Sequence, residues 1–115
     1  MPKVVYFEIP AKDSEKIIEF YSNVFGWKIK SWEQKYWPID FGEEKEDGID
    51  GAIYLSEKMT TVMNTINVPD IDECVERIKN SGGKIIVEPE SEKWGWHGYF
   101  KDPEGTVMGI VGPKK

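Results

Sequence analysis

An internal repeat constrains this chain more than any other feature. Sliding the sequence over itself by 57 residues places Val5 on Val62, Ile9 on Ile66, Asp13 on Asp70, Glu19 on Glu76, Gly26 on Gly83 and Ile29 on Ile86. Self-similarity at a fixed period means that one supersecondary unit has been built twice. A unit of this length buries little apolar surface alone, so the two copies are expected within one domain spanning residues 1–115. The matched positions fall where a strand, a helix start, a helix stop and a following strand belong. The repeat therefore predicts two βαβββ modules, near 1–57 and 58–115.

Local patterns agree with that division. Residues 3–9 alternate and are rich in β-formers (Val4, Val5, Tyr6, Phe7, Ile9), which predicts a strand. Asp13 can accept hydrogen bonds from the unpaired N–H groups of a first helical turn. Ile17, Ile18, Tyr21, Val24 and Phe25 then recur on one helical face, and Gly26 stops the helix. Strands are predicted near 27–33, 36–42 and 49–55. In the second module, residues 61–67 read as a strand and Asp70-Ile71-Asp72-Glu73 as a capping box. Ile71, Cys74, Val75 and Ile78 form the buried stripe, so Cys74 reads as a core residue, and Gly82-Gly83 ends the helix. Strands are predicted near 84–88, 97–101 and 106–111, the last two joined by the tight-turn sequence Asp102-Pro103-Glu104-Gly105.

Composition narrows the partners. The formal net charge of −6 disfavours a phosphate backbone, so nucleic acid is not an expected partner. No apolar run approaches the ~20 residues that span a bilayer, and no signal peptide precedes the first strand. One cysteine cannot make an internal disulfide. A cytoplasmic protein without membrane partners is the expectation. Aromatic residues make up 13% of the chain, more than a core of this size needs, so some rings are expected in a pocket that takes organic ligands.

Phe20-Tyr21 and Phe25-Gly26-Trp27 after the capping Asp13, with Asp102-Pro103-Glu104-Gly105 near the end, resemble the vicinal-oxygen-chelate superfamily. That group includes glyoxalase I, bleomycin-resistance and fosfomycin-resistance proteins and extradiol dioxygenases. The resemblance covers nearly the whole chain. It implies an α+β fold in which two βαβββ modules form a curved mixed sheet around a cleft, with helices on the outer face. It also implies a homodimer, as in many members.

In metal-dependent members, four ligands come from the concave face: one from the first and one from the last strand of each module. Carried onto this sequence, those positions are Tyr6, Met63, Ala52 (Gly51 if the count slips by one) and Gly109. Catalytic divalent-ion sites need His, carboxylate or thiolate donors, and this set supplies none. No metal and no cofactor are therefore expected. Activities that use an ion to bind vicinal oxygens lose their support. Bleomycin-resistance proteins, which hold a ligand without a catalytic metal, become the nearer comparison.

Strand alternation says which side chains share the cleft face. Tyr6 and Glu8 point one way, and Val5, Phe7 and Ile9 point toward the helices. Met63, Thr65 and Asn67 correspond in the second module. Asp50 and Tyr54 accompany Ala52, and Val107 and Val111 accompany Gly109. Glu8 in such a cleft is either a ligand-orienting or structural carboxylate, or a general base with Tyr6 as hydrogen-bond donor. His97, the only histidine, lies in Trp94-Gly95-Trp96-His97-Gly98-Tyr99. It follows the polar stretch 88–93, which reads as a mobile lid. Trp94 and Trp96 either close over a ligand with His97 and Tyr99, or pack at an interface. Trp32, Tyr36 and Trp37 are open between core, interface and pocket wall. The run 43–47 reads as a solvated loop.

Three functions follow from this reading. The chain binds a small organic molecule in the cleft without a metal, through Tyr6, Glu8, Asp50, Tyr54, Met63, Thr65, Trp94, Trp96, His97 and Tyr99. Alternatively, it is a metal-independent lyase or isomerase with Glu8 as base. In the third reading it is a dimeric interaction module with a vestigial cleft.

Overall fold

The computed structural model describes residues 1–29, 35–42 and 47–115. The chain runs through β1 (Val4–Ala11), α1 (Ser14–Phe25), β2 (Lys28–Ile29), β3 (Tyr36–Asp40), β4 (Asp50–Leu55), β5 (Met63–Asn67), α2 (Ile71–Asn80), β6 (Lys84–Glu92), β7 (Gly95–Lys101) and β8 (Val107–Gly112). The order strand, helix, three strands thus occurs twice, as the repeat requires. Tyr6–Val62 form one compact unit, and Met63–Lys115 form the other together with Met1–Val5. The first residues join the later unit because Lys3 exchanges hydrogen bonds with Asn67. Its N–H donates to Asn67 Oδ1 at 3.0 Å, and its carbonyl accepts from the Asn67 N–H at 3.0 Å.

In the unit Tyr6–Val62 the strands lie in the order β2-β3-β4-β1, with β1 parallel to β4 and the other pairs antiparallel. Asp13 sits in extended backbone and its Oδ1 accepts from the Lys16 N–H at 3.2 Å, a cap that contributes about 1 kcal/mol. The helix stops at Gly26, whose N–H donates to the Ser22 carbonyl at 2.9 Å. Ile17, Ile18 and Tyr21 pack with Phe7, Ile9 and Ile29 around the buried Ala11, Trp37, Ile39 and Ile53. Trp37 is therefore a core residue. Val24 and Phe25, expected on the buried face, are instead 55% and 59% exposed. The Phe25 ring lies against Tyr21 and Trp27 at centroid distances of 6.1 and 5.5 Å, so aromatic stacking at the surface replaces core burial. Of the strand predicted near 27–33, Lys28–Ile29 is observed as strand, and residues 30–33 lie outside the described residues. Trp32 and residues 43–46 of the acidic run lie outside the described residues.

In the other unit the order is β5-β8-β7-β6, with β5 parallel to β8 and antiparallel pairs beyond it. Asp70 Oδ1 accepts from the N–H groups of Asp72 and Glu73 at 3.2 and 3.4 Å. The reciprocal half of the expected capping box is not made, because Glu73 Oε1 pairs with Arg77 Nη2 at 3.0 Å. Ile71, Val75 and Ile110 are buried, with Cys74, Ile78, Ile85, Trp96 and Phe100 against them. Burial of Cys74 pushes its thiol pKa up, the behaviour of a packing residue.

The lid expected at 88–93 is a correction. β6 continues to Glu92 and pairs Glu90 with His97, Ser91 with Trp96 and Glu92 with Gly95. Two irregularities, between Ile85 and Val87 and between Val87 and Glu90, carry the strand past Pro89, which has no N–H to give a ladder. Gly98 makes room for them: a Cβ there would stand 2.9 Å from the Val87 carbonyl oxygen. Among the described residues no helix is long and apolar enough to cross a membrane.

Candidate binding site

Alternation along the paired strands sorts the side chains of each unit onto two faces. In the first unit the face away from α1 is fixed by register. Tyr6 lies beside Asp50, Glu8 beside Ala52, and Tyr36 beside Tyr54. Tyr6, Glu8, Asp50 and Tyr54, named from the sequence, therefore share one face. Tyr36, left open there, joins them.

Glu8 is the pivot of this group, with only 5% of its surface exposed. An ionisable group buried to that extent needs polar neighbours. The Tyr36 and Tyr6 hydroxyls lie 2.7 Å apart and hydrogen-bond to each other, and both phenols stand in the field of the Glu8 carboxylate. Tyr6, Tyr36 and Glu8 thus form one polar cluster. Tyr54 stands in the field of the same carboxylate. Its hydroxyl oxygen is closed to solvent and has no hydrogen-bond partner among the described residues.

All three phenols are held neutral. Burial raises the Tyr36 pKa far above the usual phenol value, followed by its bond to Tyr6 and the negative charge of Glu8. Burial also raises Tyr6, its bond to Tyr36 partly offsets this, and the charges of Glu8 and Asp50 add to the rise. Tyr54 is raised by burial and then by Glu8. Protonated phenols are hydrogen-bond donors, not anionic metal ligands, and this bears on the chelating positions.

Tyr6, Ala52, Met63 and Gly109 do not fit a divalent ion. Tyr6 is a neutral phenol hydrogen-bonded to Tyr36, Ala52 is a buried methyl group, and Met63 offers a thioether. At Gly109 a side chain has no room. A Cβ would lie 2.6 Å from Thr65 Oγ1, 3.2 Å from His97 Nε2 and 3.3 Å from Tyr99 Cε1. Among the described residues no cluster of three or more His, Cys, Asp or Glu side chains is placed to hold a metal.

In the second unit, Thr65 and Tyr99 flank Gly109, and His97 flanks Val111. These side chains share the face away from α2, and the His97 and Tyr99 ring centroids are 4.8 Å apart. His97 Nδ1 stands 3.4 Å from Glu92 Oε2. Met63 is buried on the same strand face as Thr65. The two tryptophans do not join them. Trp96 points to the opposite face, packs on the α2 core and carries the Lys114 ammonium 4.3 Å from its ring centroid. Trp94 is 69% exposed at the β6–β7 turn.

Sequence reasoning missed Tyr36 for a definable reason. Tyr36 and Trp37 are both large aromatics, so alternation alone does not say which one is buried. The burial of Trp37 against Ile53 settles it and turns Tyr36 to the other face.

Comparison with known proteins agrees with the architecture. A profile described as Glyoxalase/Bleomycin resistance protein/Dioxygenase superfamily matches residues 3–109. A glyoxylase-like domain-containing protein of Didymella fabae is 28% identical over 116 residues, covering 90% of this chain and 88% of that protein. Lactoylglutathione lyase GLX1 of Arabidopsis thaliana is 27% identical over 113 residues, covering 86% of this chain; the match spans only 40% of that protein's length. Among solved structures, a glyoxalase/bleomycin resistance protein/dioxygenase superfamily member from Vibrio splendidus 12B01 superposes with a TM-score of 0.66 at 19% identity, covering 97% of this chain and 99% of that one. At that identity the likeness speaks for the fold.

Proposed function

This chain belongs to the glyoxalase/bleomycin resistance protein/dioxygenase superfamily, and within it we propose that it is a metal-free protein that binds a small organic molecule on the sheet face carrying Tyr6, Glu8, Tyr36 and Tyr54. One observation carries the reading: a buried carboxylate beside a hydrogen-bonded pair of neutral phenols, on the face where chelating side chains would otherwise stand. Glu8 is an anchored acceptor. A carboxylate accepts from hydroxyl, amide and ammonium donors, so these are the ligand groups it would select. Tyr54 adds a hydroxyl that has found no internal partner among the described residues. Aromatic walls with a few fixed polar groups are the usual make-up of a small-molecule site.

Binding is favoured over turnover by the same geometry. The phenols around Glu8 are kept protonated by burial, so they offer fixed hydrogen bonds and do not readily pass protons on, which suits orientation better than proton transfer. The lyase or isomerase reading with Glu8 as base makes a different prediction, and one experiment separates the two. A panel of amine, hydroxyl and amide compounds is screened by thermal shift against the wild-type chain and Glu8→Gln. A native-state ligand raises the melting temperature, by the equivalent of about 2.7 kcal/mol at a hundredfold excess over Kd. The reading expects compounds that stabilise the wild-type chain and lose most of that effect in Glu8→Gln. A panel that shifts neither protein overturns it. Turnover of a stabilising compound that collapses in Glu8→Gln while binding persists would establish the enzymatic alternative.

A further inference from the structure

The repeat places the second unit's polar pair at the positions of the first unit's. The 57-residue offset carries Glu8 to Thr65, Ala52 to Gly109 and Tyr54 to Val111. Tyr36 lies opposite Tyr54, and His97 lies opposite Val111. Tyr36 and His97 are therefore equivalent positions, and the pair Tyr36–Glu8 corresponds to the pair His97–Thr65. In the first unit a long carboxylate side chain reaches toward the tyrosine, which stands in its field. In the second, threonine is shorter by two bonds. Thr65 Oγ1 and His97 Nε2 are both closed to solvent and neither has a hydrogen-bond partner among the described residues.

Two such atoms side by side call for an explanation, because each unsatisfied buried polar atom costs about 1–3 kcal/mol. Both converge above the same α-carbon, at 2.6 and 3.2 Å from where a Gly109 Cβ would stand. Thr65 is 2% exposed. The His97 side chain keeps 13% of its surface in solvent, so its ring edges the surface. Glu92 Oε2, 3.4 Å from Nδ1, favours the tautomer with the proton on Nδ1 and leaves Nε2 as an acceptor. The threonine hydroxyl is free to donate. An acceptor and a donor that converge match one chemical group: a hydroxyl, which gives its hydrogen to Nε2 and takes one from Oγ1.

We propose that Thr65 and His97 form a site for the hydroxyl group of a small organic molecule on the face of their own unit away from α2, with Glu92 beside the imidazole. The proposal rests on the reading of the chain as a small-molecule binder and adds to it a ligand class, hydroxylated compounds.

His97 is the only histidine, so its imidazole nitrogens give one unambiguous set of signals. The full chain, labelled with 15N in the imidazole ring, is followed by long-range 1H–15N correlation while paired probes are added: phenol against anisole, and glycolate against methoxyacetate. A methyl ether can accept from Thr65 but cannot donate to Nε2. The expected result is an Nδ1–H tautomer whose Nε2 resonance moves with phenol or glycolate and not with the matching ether. Thr65→Val should weaken the hydroxyl probe roughly fivefold, as for one lost neutral hydrogen bond. Equal responses to hydroxyl and ether, no response to either, or a proton resident on Nε2 would overturn the proposal, and the wild-type contrast decides this even if the variant folds poorly. Compounds that stabilise the chain through Glu8 while His97 stays silent would remove the subsite and leave the binding reading standing. Hydroxyl probes that move His97, with no compound depending on Glu8, would do the reverse.

Discussion

Deleting one oxygen from each of three phenols on a single sheet face should give three different results. Tyr→Phe removes a hydroxyl with almost no change of shape, so the difference reports the hydrogen bonding of that oxygen. The Tyr36 and Tyr6 hydroxyls bond to each other at 2.7 Å, and Glu8 acts on Tyr36 as a near charge. Losing the Tyr36 hydroxyl breaks the bond between the phenols, about 1 kcal/mol, and takes a polar neighbour from a buried carboxylate, so a loss of about 1–3 kcal/mol follows. Tyr6→Phe breaks the same bond between the phenols and should cost about 1 kcal/mol. The Tyr54 oxygen is buried with no partner among the described residues, so Tyr54→Phe should be neutral or stabilising by up to about 1 kcal/mol. The assay is urea unfolding at neutral pH, checked by melting temperature, where 1 kcal/mol corresponds to roughly 4 °C for a chain of this size. The double variant Tyr6→Phe/Tyr36→Phe should cost less than the sum of its parts, since both singles break the same bond. A Tyr6→Phe loss clearly larger than that of Tyr36→Phe would refute the closer coupling of Tyr36 to Glu8. A Tyr54→Phe loss near 2 kcal/mol would refute the claim that its oxygen lacks a partner.

Other outcomes follow from the same geometry. Raised phenol pKa values mean that the unfolded chain releases these protons first. The stability they represent is whole below the ordinary value of 10.0 and falls as pH rises above it. Unfolding followed from pH 8 upward should show that decline, and Tyr36→Phe should flatten it. Gly109→Ala should cost about 1–3 kcal/mol through overpacking, and Thr65→Ala in the same chain should recover much of it, a coupling that denaturation of the single and double variants measures. Ile53→Ala and Ile110→Ala should each cost about 2–5 kcal/mol in the same assay, because both side chains are essentially fully buried.

Much of the architecture was legible because it rests on signals that local chemistry forces. The 57-residue offset exposed the repeat, Asp13 and Asp70 start both helices, and alternation on the first strand put Glu8 and Phe7 on opposite faces. The failures have physical causes. Residues 88–93 lack β-formers and an apolar period, yet they are strand, because β6 is an edge held by β7 alone and both of its faces are largely solvated. Alternation there has no burial to report. Phe25 looked like core because its spacing fits the stripe, and nothing in sequence shows that Tyr21 and Trp27 receive it at the surface. Trp96 was grouped with His97 by adjacency, although neighbours on a strand face opposite ways.

The two halves of the repeat show how one backbone pattern supports different chemistry. Each unit sets a first-strand residue against a residue of its third strand, with a small residue between them: Glu8 and Tyr36 about Ala52, Thr65 and His97 about Gly109. In the first unit the small residue has a methyl group, and Tyr36 stands in the field of the carboxylate. In the second, the methyl group is gone and two polar atoms without partners among the described residues converge above the α-carbon. Restoring a carboxylate at 109 would therefore not recreate a chelating position. Gly109→Glu should bind no divalent ion and should unfold more easily than Gly109→Ala, because the longer chain meets the same contacts and adds a charge with no cation to pair with. Metal analysis after dialysis against zinc and manganese is the measurement. A stoichiometric ion retained by Gly109→Glu, at undiminished stability, would show that the space above residue 109 is open after all, and would remove the ground for reading this face as metal-free.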